Sequence, residues 1–190
     1  MRGLIRSVAL LGGLTFGGCA SAPSLPPVEG PLLELAHDEG RPDDKPNLPG
    51  RQLELLVRFD PKLPGYRLRR LRFLLAQPGR IVFTFYRALP DGNPGEQVAE
   101  IDHRYGPELV SAPEPTDRRW VLEDLAAVPL SSGAFVLGIA APDREGDPRL
   151  WSAGEGTGEV FEREWDGSVG RFRHAPLVRI ELEPTAPLQK

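Results

Sequence analysis

The sequence predicts an all-β protein, an antiparallel β-sandwich of about seven to nine strands. Apolar and polar residues alternate in several short segments, which is the period of a strand with one buried face. The 21 glycines and 21 prolines are spread through the chain and interrupt it too often for long helices. Short strand segments separated by frequent turns favour two packed sheets.

The first 18 residues are typical of a bacterial export signal. Arg2 and Arg6 precede an apolar run, VALLGGLTFGG, that is too short to span a bilayer of about 30 Å. The run ends at Cys19, the one cysteine in the sequence. The motif FGGC resembles the lipobox of bacterial lipoproteins, although Phe16 stands where an aliphatic residue is usual. The alternatives are a plain secretory peptide with an incidental cysteine and a cytosolic protein with a buried cysteine.

The lipoprotein resemblance implies where the protein is attached. It implies cleavage before Cys19 and acylation of the cysteine with fatty acids such as palmitate, which would anchor the chain in a membrane. No aspartate follows Cys19, and this implies the outer membrane of the cell envelope. We expect a signal peptide over residues 1–18 and a lipid-anchored tether rich in Pro and Ser over 19–30.

The remaining chain is long enough for one domain, which we expect over residues 31–185, followed by a short tail over 186–190. Removing residues 1–18 leaves 21 basic and 27 acidic side chains, a net charge of −6. This acidic balance argues against a nucleic-acid partner.

Alternation at period two marks the predicted strands. The segments RQLELLVRF (51–59), RIVFTFYRA (80–88), GAFVLGIAA (133–141) and LVRIEL (177–182) each place apolar side chains on one face. WVLEDLAAVPL (120–130) predicts a strand that leaves its sheet near Asp124. The expected inward-facing residues are Leu53, Leu55, Val57, Phe59, Ile81, Phe83, Phe85, Phe135, Leu137, Ile139, Val178, Ile180 and Leu182.

The segment YRLRRLRFLLAQPG (66–79) fits two structures. Leu68, Leu71 and Leu75 would form one stripe of a helix, whereas a strand needs a bulge at Arg69-Arg70. We favour the strand because strands are predicted on both sides. Arg70 and Arg72 would then form an outward basic ridge, which could meet lipid phosphates or an acidic partner or could simply be a charged outer face.

The order of several motifs resembles a known kind of domain. The series ELAHDEG, LELLVRF, RIVFTFYRALPDGNPGEQV, SSGAFVLGIA, EWDGSVGRF and VRIELEP is similar to jelly-roll accessory domains of secreted bacterial proteins, over about residues 33–183. The resemblance implies a jelly-roll-like sandwich, related in architecture to carbohydrate-binding modules. Such domains usually accompany a catalytic domain, whereas this chain predicts a single domain on a lipid anchor.

Two kinds of ligand contact are candidates. Trp120, Trp151 and Trp165 could stack on sugar rings, although aromatic residues more often serve the core. Calcium would need six to eight oxygen ligands from converging loops. By resemblance to jelly-roll modules, Asp38 and Glu39 are the best metal candidates. The other acidic turns contain Asp43, Asp44, Asp91, Asn93, Asp143 and Asp147.

The sequence offers little for catalysis. Its three histidines, His37, His103 and His174, lie outside any zinc-binding or nucleophile motif. We therefore expect a non-catalytic cell-envelope lipoprotein that binds a protein or cell-wall partner through its sandwich. The alternative is a carbohydrate-binding or cell-wall-binding module, with calcium as a candidate support, and a hydrolase is the least favoured interpretation.

Overall fold

The computed structural model describes residues 31–37, 42–47, 53–112, 118–142, 148–155, 160–164, 166–172 and 174–185, with the backbone alone for 42–47 and 154–155. Among these residues, no helix is long and apolar enough to cross a membrane. A single turn of 3₁₀ helix spans Pro107–Leu109. The strands are β1 Leu33–Ala36, β2 Pro42–Asn47, β3 Leu53–Phe59, β4 Tyr66–Phe73, β5 Leu75–Gln77, β6 Gly79–Ala88, β7 Pro94–Tyr105, β8 Val121–Asp124, β9 Phe135–Ala140, β10 Arg149–Glu155, β11 Val160–Glu164, β12 Val169–Arg171, β13 His174–Pro176 and β14 Val178–Pro184.

These strands form three antiparallel sheets. One has six strands in the order β12-β11-β3-β9-β6-β7, and a second has four in the order β1-β14-β4-β8. A small third sheet has the order β13-β10-β2, and β5 also pairs with β10. The first two sheets bury their facing residues in one shared core, which confirms the predicted all-β sandwich.

The number of strands was wrong, because the described residues contain fourteen strands and not seven to nine. Two continuous extended segments are each divided between sheets. At Leu74 the chain passes from β4, paired with β14, to β5, paired with β10, and at Leu177 it passes from β13 to β14. Leu74 donates its N–H to the Leu177 carbonyl at 3.2 Å, so the two crossings lie side by side.

The alternating residues form the core as predicted. Phe83 and Phe85 of β6, and Phe135 of β9, are fully buried. The rings of Phe73 and Phe83 lie 5.0 Å apart and join the two sheets, while Phe59 stacks on Phe135 at 5.3 Å. Such aromatic pairs add about 0.5–1.5 kcal/mol each beyond their buried area.

The segment 66–77 is extended, so the helical alternative was wrong. Its pairing with β14 shifts register between Arg70, opposite Glu181, and Leu68, opposite Leu182. Arg69 is the extra residue of this bulge, as predicted. The Arg69 side chain is buried at this bulge, where the guanidinium pairs with Glu183 and remains 8% exposed.

The predicted basic ridge is neutralised by carboxylates. Arg72 Nη1 lies 2.9 Å from Glu34 and 3.1 Å from Glu181, and Arg70 lies 3.6 Å from Glu181. Arg179 Nη1 also donates to Glu34 at 2.7 Å. In this part of the four-stranded sheet the described arginines Arg70, Arg72 and Arg179 thus belong to a network of opposite charges on the outer face.

Candidate functional site

Several residues singled out from the sequence lie outside the described part of the chain. These are Cys19, Asp38, Glu39, Trp165 and the acidic pair Asp143 and Asp147. The lipidation, calcium and stacking roles assigned to them remain predictions.

Trp120 lies just before β8 and is half-buried. The guanidinium carbons of Arg72 and Arg179 lie 5.0 and 4.8 Å from the centre of its ring. This cation–π arrangement gives the ring protein partners, and such contacts are worth about 0.5–1 kcal/mol at exposed sites. A sugar that stacked on Trp120 would have to compete with these arginines.

Trp151 lies on β10 and packs on the same small cluster as Trp120, formed by Leu74, Ala153 and Leu177. Its indole Nε1 donates to the Ser111 carbonyl at 2.9 Å. Both described tryptophans therefore cover the place where the chain crosses between sheets. Their contacts account for a structural role, and their role in glycan stacking stays a prediction.

The turn that contains Asp91 and Asn93 is held by its own hydrogen bonds. Asp91 accepts from the Asn93 backbone N–H at 3.0 Å and from its side-chain amide at 2.9 Å. These hydrogen bonds, the backbone one first, lower the pKa of Asp91. In the part of the chain that the structure describes, no three His, Cys, Asp or Glu side chains converge as a metal site would require.

His103 has a carboxylate partner at the edge of the sandwich. Its Nδ1 lies 3.2 Å from Glu123 Oε1, and the Tyr105 hydroxyl donates to the same oxygen at 2.8 Å. The contact links β7 to β8, which are the edge strands of the two large sheets. Burial, reinforced by Glu123, raises the pKa of Tyr105 far above its usual value, so the phenol stays protonated as a donor.

The outer face of the six-stranded sheet carries a second apolar cluster. Leu56, Tyr86 and Val136 are buried there, and Ala88 and Phe161 pack against them. The sequence predicted these positions to be the outer face, which is ordinarily polar in an antiparallel sheet. These side chains therefore shield one another from solvent on the outer face of the sheet.

A polar network crosses this face and spans four strands. Arg163 of β11 pairs with Glu54 of β3 and also donates to the Tyr86 hydroxyl of β6 at 2.9 Å. That hydroxyl donates to Glu54 at 3.1 Å, and the Arg163 guanidinium lies 5.3 Å from the Tyr86 ring centre. The network passes over Gly138 of β9, where a Cβ would overlap the Glu54 carboxylate and approach the Tyr86 ring to 3.0 Å.

The network stabilises the charge states of Tyr86 and Arg163. Burial and the Glu54 carboxylate raise the pKa of Tyr86, so its phenol remains neutral. Burial opposes the charge of Arg163, but Glu54 and Tyr86 overcome it and raise the pKa of this guanidinium. Arg163 is thus a fixed cation in a preformed position.

Beside this network lies an open groove of about 640 Å³. We call it the β11–β12 groove. Its described lining comes from β11, β12, the turn between them and the turn between β6 and β7, and consists of Asn93, Pro94, Phe161, Arg163, Gly167, Val169, Gly170 and Arg171. Two guanidinium groups therefore flank one aromatic ring, and the described lining contains no carboxylate, histidine or hydroxyl side chain.

A second cavity, of about 360 Å³, lies between β4 and the segment that follows β8. Two arginines line it, Arg67 and Arg69. The Arg69 guanidinium is already paired with Glu183. Each cavity thus has one internally paired cation, Arg69 here and Arg163 in the β11–β12 groove. The one aromatic ring in the described lining of this cavity, Tyr66, is fully buried, so the cavity lacks the partly exposed ring that Phe161 gives the β11–β12 groove.

The sequence predictions did not include the β11–β12 groove. One signal was present, because LELLV and FVLGI place apolar residues on both faces of β3 and β9. Strands that are apolar on both faces are expected where both faces are covered. The network itself joins residues 32, 77 and 109 positions apart, and no local pattern marks it.

Comparisons with protein-family models, with curated proteins and with solved structures give no match to this chain.

Proposed function

We propose that this protein is a non-catalytic binding domain of the cell envelope and that it holds its ligand in the β11–β12 groove. The observation that carries the proposal is the lining of the groove. Phe161 offers an apolar surface, and Arg163 and Arg171 offer cationic hydrogen-bond donors. The described lining has no side chain that would serve as a nucleophile or general base, so it is suited to binding and not to bond cleavage.

The attachment to the envelope is part of the same proposal and is supported by the sequence. The apolar run that ends at Cys19 would direct export and acylation, and residues 19–30 would serve as a tether. The resemblance to lipoproteins without an aspartate after the cysteine favours the outer membrane. Substituting Cys19→Ser tests this part, since the variant should lose incorporation of labelled palmitate and leave the membrane fraction.

A carbohydrate ligand is favoured over a protein partner by one specific observation, the aromatic ring of Phe161 in an open groove. Aromatic rings in such positions can pack against the C–H faces of sugars. Trp120 and Trp151 could have served the same purpose, but their contacts hold the crossing between sheets.

Photocrosslinking in living cells tests whether the groove is the binding surface. A photoreactive amino acid at Val169, on the groove, should capture an envelope component. The matched control is the same residue at Leu122, which lies on β8 of the other large sheet. Val169 and Leu122 are 44% and 56% exposed, so both positions accept the probe without loss of core packing. Equal capture from both positions, or capture from Leu122 alone, would refute the groove as the binding site.

A further inference from the structure

We propose that the ligand of the β11–β12 groove is an acidic polysaccharide whose sugar rings carry carboxylates. This inference rests on the proposed function and adds the chemical class of the ligand.

The four side chains form a two-by-two pattern on one face of the sheet. Phe161 lies opposite Arg171, and Arg163 lies opposite Val169. Residues two apart in a strand point to the same face. Directly opposed side chains therefore lie about 5 Å apart, and the two arginines occupy diagonal positions about 7–8 Å apart. A ligand that fits this pattern presents apolar surface and anionic groups in alternation over a few ångströms.

The charge of the groove contrasts with the charge of the protein. The whole chain has a net charge of −4, yet the described lining of the groove has two guanidinium groups and no carboxylate. Glu54, beside the lining, balances the charge of Arg163, so Arg171 is the uncompensated cation. Arg171 is exposed and makes no ion pair with the carboxylates of the described residues. Its guanidinium is available to bind a carboxylate with two parallel hydrogen bonds.

Arg163 complements the Arg171 guanidinium because it is a second guanidinium that is already held in place. Glu54 and Tyr86 fix its guanidinium, and its side chain is still 31% exposed. A fixed cation loses little conformational entropy when a ligand binds. Arg171 would pair with a carboxylate of the ligand, and the exposed part of Arg163, whose charge Glu54 balances, would offer hydrogen-bond donors to the neighbouring sugar ring.

The backbone distinguishes a polysaccharide from an acidic peptide. The groove lies over the face of the sheet, where β11 is paired with β12 on one side and with β3 on the other. The main-chain groups of β11 are therefore used in the sheet, and among the described strands it is β12 that has a free edge here. An extended peptide that paired with this edge would add a strand beside β12 in the plane of the sheet and would not lie over Phe161 and Arg163 on its face. A sugar chain needs side-chain donors and an apolar surface, and these are what this face presents.

Binding to three polymers tests the inference, with the full-length chain immobilised in non-ionic detergent. The probes are polygalacturonate, the same polymer after chemical reduction of its carboxylates, and dextran sulfate as a polyanion without carboxylates. We expect polygalacturonate to bind at least tenfold more tightly than the other two. Arg171→Gln should weaken that binding at least tenfold, and Arg171→Lys should restore part of it. The matched control, Arg67→Gln, removes an exposed arginine of the four-stranded sheet and should change the affinity less than twofold.

The other possible results would each refute either the ligand class, the polysaccharide or the groove. Equal binding of the reduced polymer would overturn the acidic class and leave the binding function in place. Equal binding of dextran sulfate, with equal effects of Arg67→Gln and Arg171→Gln, would show simple ion exchange and overturn the inference. If none of the three polymers bound but Val169 still gave specific photocrosslinks, the polysaccharide would be refuted as the ligand and the groove would stand as the binding site. Failure of both experiments would refute the inference and the proposed function together.

Discussion

The pair between Arg69 and Glu183 is the strongest electrostatic test of the fold. Arg69 occupies the bulge of β4, and its Nε and Nη2 both donate to Glu183 Oε2, with the Nε bond at 2.8 Å. The two side chains are 8% and 16% exposed. Substituting Glu183→Gln keeps the shape of the acceptor but removes its charge, so a buried guanidinium loses its counterion.

The size of the effect follows from burial. Breaking a buried ion pair by removal of one partner costs about 3–5 kcal/mol, because the remaining charge stays desolvated. Glutamine retains one oxygen acceptor, and Glu183 keeps some contact with water, so we expect about 3 kcal/mol for Glu183→Gln. The double substitution Arg69→Leu, Glu183→Leu removes both charges and should cost no more than about 1 kcal/mol.

Urea unfolding followed by tryptophan fluorescence measures both values. The control is Asp60→Asn, which breaks the pair between Asp60 and the 82% exposed Lys62 and should cost about 0–1 kcal/mol. A cost for Glu183→Gln no larger than that for Asp60→Asn would refute the buried ion pair as a source of stability. A double variant as unstable as the single one would refute it too, because the penalty would then come from lost packing and not from the unpaired charge.

Three further predictions concern the sheet faces, the core and the effect of alkaline pH. Gly138→Ala should cost about 1–3 kcal/mol in urea unfolding, since a Cβ there overlaps the network above it. The control Gly170→Ala, whose Cβ meets its nearest neighbours at 3.6 Å, should be close to neutral, and equal costs would contradict this account. Phe73→Ala should cost about 3–5 kcal/mol because the ring is fully buried between the sheets, whereas Leu122→Ala, at a 56% exposed position, should cost less than about 0.5 kcal/mol. Burial raises the pKa of Tyr66 to about 12 in the folded protein. The phenol of the unfolded chain ionises first, so the contribution of Tyr66 to the free energy of unfolding is intact below pH 10 and is lost between pH 10 and 12. The free energy of unfolding should fall by about 1.4 kcal/mol per pH unit for this group, and Tyr66→Phe should remove that share of the slope; an unchanged slope would contradict it.

The inner faces of the sheets could be predicted because alternation is a local property. A residue and its second neighbour in a strand share a face whichever strand lies beside them. The sequence therefore predicted the inward positions of Phe83, Phe85, Leu137 and Ile139 without the strand order. The bulge at Arg69 was predictable for the same reason, because without it the leucines of that segment would change faces.

The β11–β12 groove could not be predicted because it depends on strand order. Arg163 contacts Glu54 because β11 pairs with β3. Tyr86 of β6 reaches both residues because β9, which lies between β3 and β6, has Gly138 beneath the network and no side chain in the way. Alternation does not determine which strands pair. The number of strands was underestimated for a related reason, because the crossing at Leu74 is a change of partner within a continuous extended segment.

The short strand β1 has a mechanical consequence. The chain enters the described domain through β1, which is bound to β14 by a ladder of four residue pairs. A pull on the N-terminal side would therefore load this ladder, the Glu34 ion pairs and the core contacts of Leu33 and Leu35 before it reached the inner strands. Because β1 lies at the edge of its sheet, it can peel away and add about 13 Å of chain while the inner strands stay folded. β1 would thus yield first under tension, while the six-stranded sheet that carries the β11–β12 groove stayed folded.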